Sequence, residues 1–358
     1  MEKPPFKPLT MKEVNEKKNT NGYNVVSTFS GAGGSCLGLK LAGFNIKYAV
    51  EFVLAAQEVY QLNHPDTYLD KRDIREIKGT DILKTCKINK GELDLLEGSP
   101  PCSAFSQSGK KEAGWGCVKE YSDTKQRVDD LFFEFIRLTN ETQPKMILCE
   151  NVPALAIGKS KGYLKLIIES FKEIGYTIKL KILNAKYLNV PQARKRLIFI
   201  GKKDKLPINI EFPKPNKYIY SVKDAIPNFY NNPTPKDARL KLSDLEKKLL
   251  KNGQKYHDKS LDKANKRLNN KDGWYTKYIL YDNVPAMTLM ATQNIFHGKY
   301  PRTISITEAK RLQTFPDDFQ LTGNYIKQWE RIGRSVPPRM YEAVGQKIKQ
   351  SLDDYNDS

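Results

Sequence analysis

The chain has 358 residues, 39% of them hydrophobic, and 60 Lys+Arg against 41 Asp+Glu leave a formal charge of +19; a field of that sign points to a polyanion such as nucleic acid, with a merely solvated lysine coat as the alternative. Five cysteines without a C-x-x-C pair, together with three histidines, exclude a disulfide framework and Cys/His zinc spacing, so no metal is expected. The lysine-rich start "MEKPPFKPLTMKEVNEKKNTNGY" has no apolar run for a signal peptide and nothing later is long enough to span a bilayer, so a soluble cytoplasmic chain with reduced thiols and no membrane partner is expected.

In chain order, the apolar run "YNVVSTFS" (23–30) ends at glycines and leads into the short helical pattern "SCLGLKLAG". "IKYAVEF", a helical "VLAAQEVYQLN" and "TYLDKRD" follow, then the apolar "LDLLEGS". An amphipathic helix is expected over "TKQRVDDLFFEFIRLTNET", then "KMILCEN", the helical "YLKLIIESFKEIG", "YTIKLKILNA" and "RLIFIGKK". Strand-like runs alternating with helical ones predict βαβ units and a mainly parallel, doubly wound α/β sheet.

Near residue 204 the alternation stops. Residues 204–304 are rich in proline and asparagine and hold 19 Lys+Arg against 10 Asp+Glu, a net of +9 and about half the total charge. An insertion loop or linker is one reading. The aromatics Tyr218, Phe229, Tyr256, Trp274, Tyr275 and Tyr278 favour a small folded domain, because a linker has no use for them. After it, "TEAKRLQTFP" and "PPRMYEAVGQKIKQSL" read as helices. The expected division is a tail (1–22), a first domain (23–203), an inserted domain (204–304) and C-terminal helices returning to the first domain (305–358).

Ligands of an open α/β sheet bind at the carboxyl ends of the strands, where strand order reverses. The cluster "FSGAGGSCLG" falls there after the first strand; Cys36 stands where a nicotinamide fingerprint needs its third glycine, but the turn still lets a cofactor approach the backbone. Glu51, about 20 residues on, can accept ribose hydroxyls, and Asp73 can receive an adenine amino group. Cys102 follows Pro100 and Pro101, which stiffen the chain and remove donors, so a small-residue turn presents a thiol to a pocket; a packed cysteine sits more naturally in an apolar run, as Cys149 does. Glu150 in "ENVP" is a candidate acid or a helix cap. Arg194 and Arg196 in "QARKR" would share one face of a strand, or belong to a solvated basic turn.

In combination and in this order, "FSGAGG", "VEF", "RDI", "SPPCSAFS", "ENV", "QARKR", "TEAKRLQTFPDDF" and "IGRSVPP" resemble the DNA (cytosine-5)-methyltransferases of bacterial restriction-modification systems and phages. The resemblance covers residues 23–350 apart from 204–304. It implies a Rossmann-like S-adenosylmethionine-dependent methyltransferase fold. Phe29, Gly31, Ala32, Gly33 and Gly34 would hold the cofactor from the glycine turn, Glu51 and Phe52 at the ribose, and Asp73 and Ile74 at the adenine. Pro101, Leu131 and Ser335 would complete that site.

Cytosine C5 is a poor nucleophile toward a methyl sulfonium. Addition of a thiolate to C6 makes C5 reactive. Cys102 matches the family nucleophile, and nearby positive charge would favour its thiolate. Glu150 matches the group acting at N3, Arg196 the group at O2, and Arg194 would help to place it. The target base would be flipped from the duplex, residues 106–127 would form a mobile lid, and 204–304 would be the target-recognition domain, its lysines giving salt-dependent affinity. A monomer with double-stranded DNA as partner, and room for a companion restriction endonuclease, is the expected setting. Ser103, Arg331 and Arg334 depart from the family pattern, where Gln, Gln and Asn are common. The alternatives are the tRNA-directed branch of the same fold, a silent nucleic-acid-binding protein, and, outside the family, a nicotinamide enzyme.

Overall fold

The computed structural model describes residues 3–101, 118–121, 124–127, 130–158, 160–292 and 294–358. Its first half runs α1 (Met11–Lys17), β1 (Asn24–Thr28), α2 (Gly34–Leu41), β2 (Asn45–Val50), α3 (Leu54–Asn63), β3 (Tyr68–Asp70), α4 (Gly79–Cys86), β4 (Leu95–Gly98), β5 (Val118–Tyr121), β6 (Thr124–Arg127), α5 (Leu131–Thr142), β7 (Met146–Asn151) and α6 (Ser160–Glu173). There follow β8 (Tyr176–Asn184), β9 (Gln192–Ala193), β10 (Lys195–Lys203), α7 (Val222–Ala225), α8 (Asp244–Lys255) and α9 (Leu261–Asn269). Last come β11 (Lys277–Leu280), β12 (Ala286–Met287), β13 (Asn294–His297), α10 (Ile306–Gln313), α11 (Tyr325–Arg334) and α12 (Pro338–Asn356).

The chain divides into two compact units. One comprises Met11–Asn184, Lys195–Lys214 and Val336–Ser358. In it, among the described residues, seven strands form one sheet in the order β3-β2-β1-β4-β7-β10-β8, while β5 and β6 form a separate pair. β1, β2, β3, β4 and β7 pair in parallel, and β10 runs antiparallel to both β7 and β8. Strand order reverses between β1 and β4, the place where such sheets bind ligands. Short apolar runs bury both faces, as parallel strands require.

On one face Val26, Tyr48, Leu96, Ile147 and Phe199 share a core with Phe132 and Phe135 of α5 and Phe171 of α6; each fully buried phenylalanine is worth about 1.5–3 kcal/mol of transfer free energy. On the other face α2 and α12 cross at Gly38, where a Cβ would lie 2.5 Å from the Pro338 carbonyl oxygen and from Tyr341 Cβ. Helices on both faces give the doubly wound architecture expected. The helix expected over 124–142 begins only at Leu131, and β6 pairs antiparallel with β5. "TKQR" offers no apolar residue at helical spacing, whereas from Leu131 on Phe132, Phe135, Ile136 and Leu138 build a buried stripe.

The other unit comprises Met1–Thr10, Ala185–Arg194 and Pro215–Ser335. It has cores of its own. Val222, Phe229, Leu289 and Ile304 pack with Leu312 of α10 and Trp329 and Ile332 of α11, and Leu249, Leu261, Ile279 and Phe296 form a second cluster. A buried ion pair, Arg302 to Glu308 at 2.8 Å, locks the start of α10, where Glu308 also closes a capping box with Ser305. Residues 305–335 therefore group with the basic segment rather than apart from it, because α10 and α11 spend their apolar faces on its core. The first 22 residues, expected as a tail, include the buried Leu9 and Val14.

Candidate active site

The turn after β1 is shaped by left-handed backbone at Phe29 (φ 54°), Gly31 (φ 56°) and Gly33 (φ 86°). Gly31 N–H donates to Glu51 Oε2 and Val53 N–H to Glu51 Oε1, both at 2.7 Å. These two bonds hold the buried Glu51 carboxylate across the ends of β1 and β2. A Cβ on Gly31 would meet nothing within 4 Å, while one on Gly33 would strike His64. The turn is thus backed on one side and open on the other, which fits a ligand lying against its backbone. Ala32 is buried, Gly34 opens α2, and Phe52 is half-buried.

Asp73 caps the short turn Ile74–Glu76, accepting from Arg75 N–H at 3.1 Å and pairing with its guanidinium at 3.0 Å; Arg75 also holds Asp130 at 2.5 Å, just before α5. Ile74 and Leu131 are buried in the core of the sheet, and Pro101 is half-buried after β4. Ser335 lies in the other unit, where its hydroxyl donates to the Arg331 carbonyl at 2.7 Å and its own carbonyl accepts from Gln313 at 2.5 Å.

Cys102, Ser103 and the stretch to 117 lie outside the described residues, so most of the expected lid does too. The residues leading to Cys102 are held firmly: Asn151 Nδ2 donates to the Pro100 carbonyl at 3.2 Å, tying the end of β4 to the end of β7. Next to Asn151, Glu150 Oε1 sits 2.5 Å from Arg196 Nε, and both side chains are nearly buried. That contact is close but is not aligned as a hydrogen bond. β7 and β10 bring the pair together through their antiparallel register, in which Ile198 faces Glu150.

Arg194 does not share a strand face with Arg196. The strand breaks between Ala193 and Lys195, and Arg194, 2% exposed and the last residue of its segment of the other unit, donates within that unit to the Leu289 carbonyl at 2.9 Å and the Gly333 carbonyl at 3.3 Å. Arg331 and Arg334, the two departures in α11, share Glu330, at 3.1 and 2.7 Å.

Cys36, Cys86 and Cys149 are all buried. Burial pushes the Cys36 and Cys86 thiols up to about 11 and Cys149 well above the usual range, so none is a ready nucleophile. Sequence reasoning missed two buried polar groups beneath the site. His64 stacks on Tyr60 and meets Lys40 Nζ at 2.9 Å under Gly33. Glu97, in β4, accepts from Ser27 at 2.6 Å and Ser35 at 3.3 Å, and burial pushes its carboxyl up to about 7. An acid directly after Leu95 and Leu96, at the end of an apolar run, was the available signal.

Among the described residues there is no metal-binding cluster, and no helix is long and apolar enough to cross a membrane. A family model for the C-5 cytosine-specific DNA methylases matches residues 23–350. The chain is 32% identical over 335 residues to the type II methyltransferase M1.HphI of Haemophilus parahaemolyticus, covering 90% of this chain and 86% of that one. It is 28% identical to M.NgoPII of Neisseria gonorrhoeae, covering 93% and 97%. A solved E. coli structure, described as a DNA modification methyltransferase encoded within a prophage, superposes with a TM-score of 0.68 at 25% identity, over 94% of this chain and 100% of that one. A mutant of DNMT2 from Spodoptera frugiperda shares the fold, with a TM-score of 0.62 at 17% identity over 91% and 99% of the two chains. The chain thus belongs to the C-5 cytosine-specific DNA methylases, which use S-adenosylmethionine to methylate cytosine in DNA.

Proposed function

We propose that the protein methylates C5 of one cytosine within a specific duplex sequence, the base being turned out of the helix and bonded through C6 to Cys102. The observation that carries this reading is the Glu150–Arg196 pair at the end of β7, joined through Asn151 to the carbonyl two residues before Cys102. The packed state of Cys36, Cys86 and Cys149 supports the assignment of the nucleophile to Cys102.

S-adenosylmethionine supplies, when bound, an electrophilic methyl carbon on a sulfonium. The turn at Phe29–Gly34 and the carboxylates of Glu51 and Asp73 would hold it, with Ile74, Phe52, Pro101 and Leu131 completing its surroundings. The Cys102 thiolate donates an electron pair to C6. The ring electrons move toward N3, where Glu150 supplies a proton, while Arg196 steadies O2. Arg194 acts from a distance, by fixing the chain that carries Arg196. C5 then takes the methyl group. Loss of its proton to solvent re-forms the C5–C6 double bond as the sulfur leaves as thiolate, and N3 gives its proton back to Glu150, so the ring ends neutral and aromatic.

The basic segment 204–304 serves as the target-recognition domain, its lysines contacting phosphates while a few side chains read bases. The enzyme acts as a monomer and pairs in the cell with a restriction endonuclease of the same specificity.

The test uses tritiated methyl transfer to duplex DNA and to tRNA by wild type and Cys102→Ser. Wild type should label DNA and form a stable conjugate with 5-fluorocytosine duplexes, and Cys102→Ser should do neither. Labelling of tRNA alone, or full activity of Cys102→Ser, would overturn the reading. Bisulfite sequencing of DNA from expressing cells would give the site.

A further inference from the structure

We infer that Glu97 is a positioning residue for methyl transfer: a buried carboxyl that exchanges a proton with Glu150 through the hydroxyls of Tyr341 and Ser99. The inference rests on the reading of Glu150 as the proton donor at N3.

Strand register puts these groups on one face of the sheet. Glu97 lies opposite Ser27 on β1 and opposite Leu148 on β7, so Glu150 and Ser99 are the next residues toward the carboxyl ends on that same face. α12 lays Tyr341, fully buried, over them. Tyr341 interacts with Ser99 and feels the charge of both Glu97 and Glu150. Yet Glu97 Oε1, Ser99 Oγ and Tyr341 Oη are buried with no aligned hydrogen-bond partner among the described residues. Buried polar atoms are almost always satisfied, and a cluster that is not marks a functional constraint. Two hydroxyls between two carboxyls need only rotate to link them, each accepting from one side and donating to the other.

The carboxyl is also in the right state. Burial pushes Glu97 up to about 7, with Glu150 adding to the rise and the hydrogen bonds from Ser27 and Ser35 opposing it. The other titratable groups around it are Cys36 on α2, Tyr60 on α3, Cys149 from the far face of β7 and Tyr341 on α12; burial keeps the protons on all of them. Arg196 lies beyond Glu150, paired with it. Glu97 is therefore the group in this cluster able to give up a proton near neutrality. As N3 takes up a proton through Glu150, that proton is drawn from Glu97 along Tyr341 and Ser99, and Glu97 is left as the carboxylate while Glu150 returns to its ion pair with Arg196. When sulfur leaves C6, the N3 proton travels back by the same route, and the site is restored.

The experiment is single-turnover methylation of a duplex containing the target site, by Glu97→Gln and Tyr341→Phe beside wild type, from pH 6 to 9. Both variants should be slower by about a hundredfold at pH 6, the lower end of what a positioned proton donor contributes. The gap should close above pH 8, where wild-type Glu97 is already ionised. Affinity for S-adenosylmethionine, measured by calorimetry on the same preparations, should be unchanged. Profiles parallel to wild type at every pH would overturn the inference, and Tyr341→Phe decides it alone if Glu97→Gln fails to fold. Glu150→Gln separates the two levels. Full activity in that variant sinks the role of Glu150, whereas an inactive Glu150→Gln beside pH-parallel Glu97→Gln and Tyr341→Phe sinks only the link.

Discussion

Replacing Gly33 by alanine should injure the protein through two separable effects. Gly33 sits at φ 86°, ψ 20° as the N-cap of α2, and left-handed backbone costs an L-residue roughly 1–2 kcal/mol. The added Cβ would lie 2.1 Å from His64 Nε2 and 2.7 Å from its Cδ2. His64 cannot swing aside: it is 1% exposed, stacks on Tyr60 with centroids 4.4 Å apart, and holds Lys40 at 2.9 Å. Overpacking of this kind adds roughly 1–3 kcal/mol, so Gly33→Ala should cost roughly 2–5 kcal/mol in all. Urea denaturation of Gly33→Ala, His64→Ala and the double variant measures both parts. In the His64→Ala background the glycine substitution should cost only the backbone share, roughly 1–2 kcal/mol. An equal cost in both backgrounds would refute the reasoning, because it would mean that His64 does not support the turn.

Glu97 also predicts a pH-dependent stability. Its carboxyl keeps a proton up to about 7 in the fold, against an ordinary value of 4.5. The folded state thus binds the proton more tightly, and the resulting stability is present in full below 4.5 and lost as pH rises to 7, a change of about 3 kcal/mol. Urea midpoints at pH 5 and pH 8 should differ less in Glu97→Gln than in wild type by that amount; equal differences would contradict it. Arg194→Met should destabilise by roughly 2–4 kcal/mol, because it strips the donors from two buried carbonyls, those of Leu289 and Gly333. Thermal melts measure that loss, and an unchanged melting curve would mean that the guanidinium does not hold this unit together.

The placement of much of the candidate site was readable because its residues stand at strand ends, and strand ends are local features. The runs before Phe29, Glu51 and Glu150 announce β1, β2 and β7, and a parallel sheet delivers all their carboxyl ends to one rim. The glycine turn was legible for the same reason, since Gly31 and Gly33 need backbone conformations that other residues resist. The resemblance implied only that Glu150 and Arg196 act on one base, at N3 and O2; their ion pair comes from the antiparallel register of β10 on β7. A two-residue spacing suggested that Arg194 would join it, but spacing assumes an unbroken strand. A break at Arg194 sends that guanidinium to carbonyls 95 and 139 residues away.

What the sequence determined by itself, then, was the order of strands and helices and the chemistry carried on their ends, because hydrophobic period and turn residues act between near neighbours. Which polar groups would be buried was left to the tertiary structure. Glu97 is an ordinary acid in the chain; it becomes a proton-holding one because Ser27, 70 residues before it, and Tyr341, on the last helix, close over it and remove water. Desolvation is a property of the elements that cover a residue, and no local pattern names them.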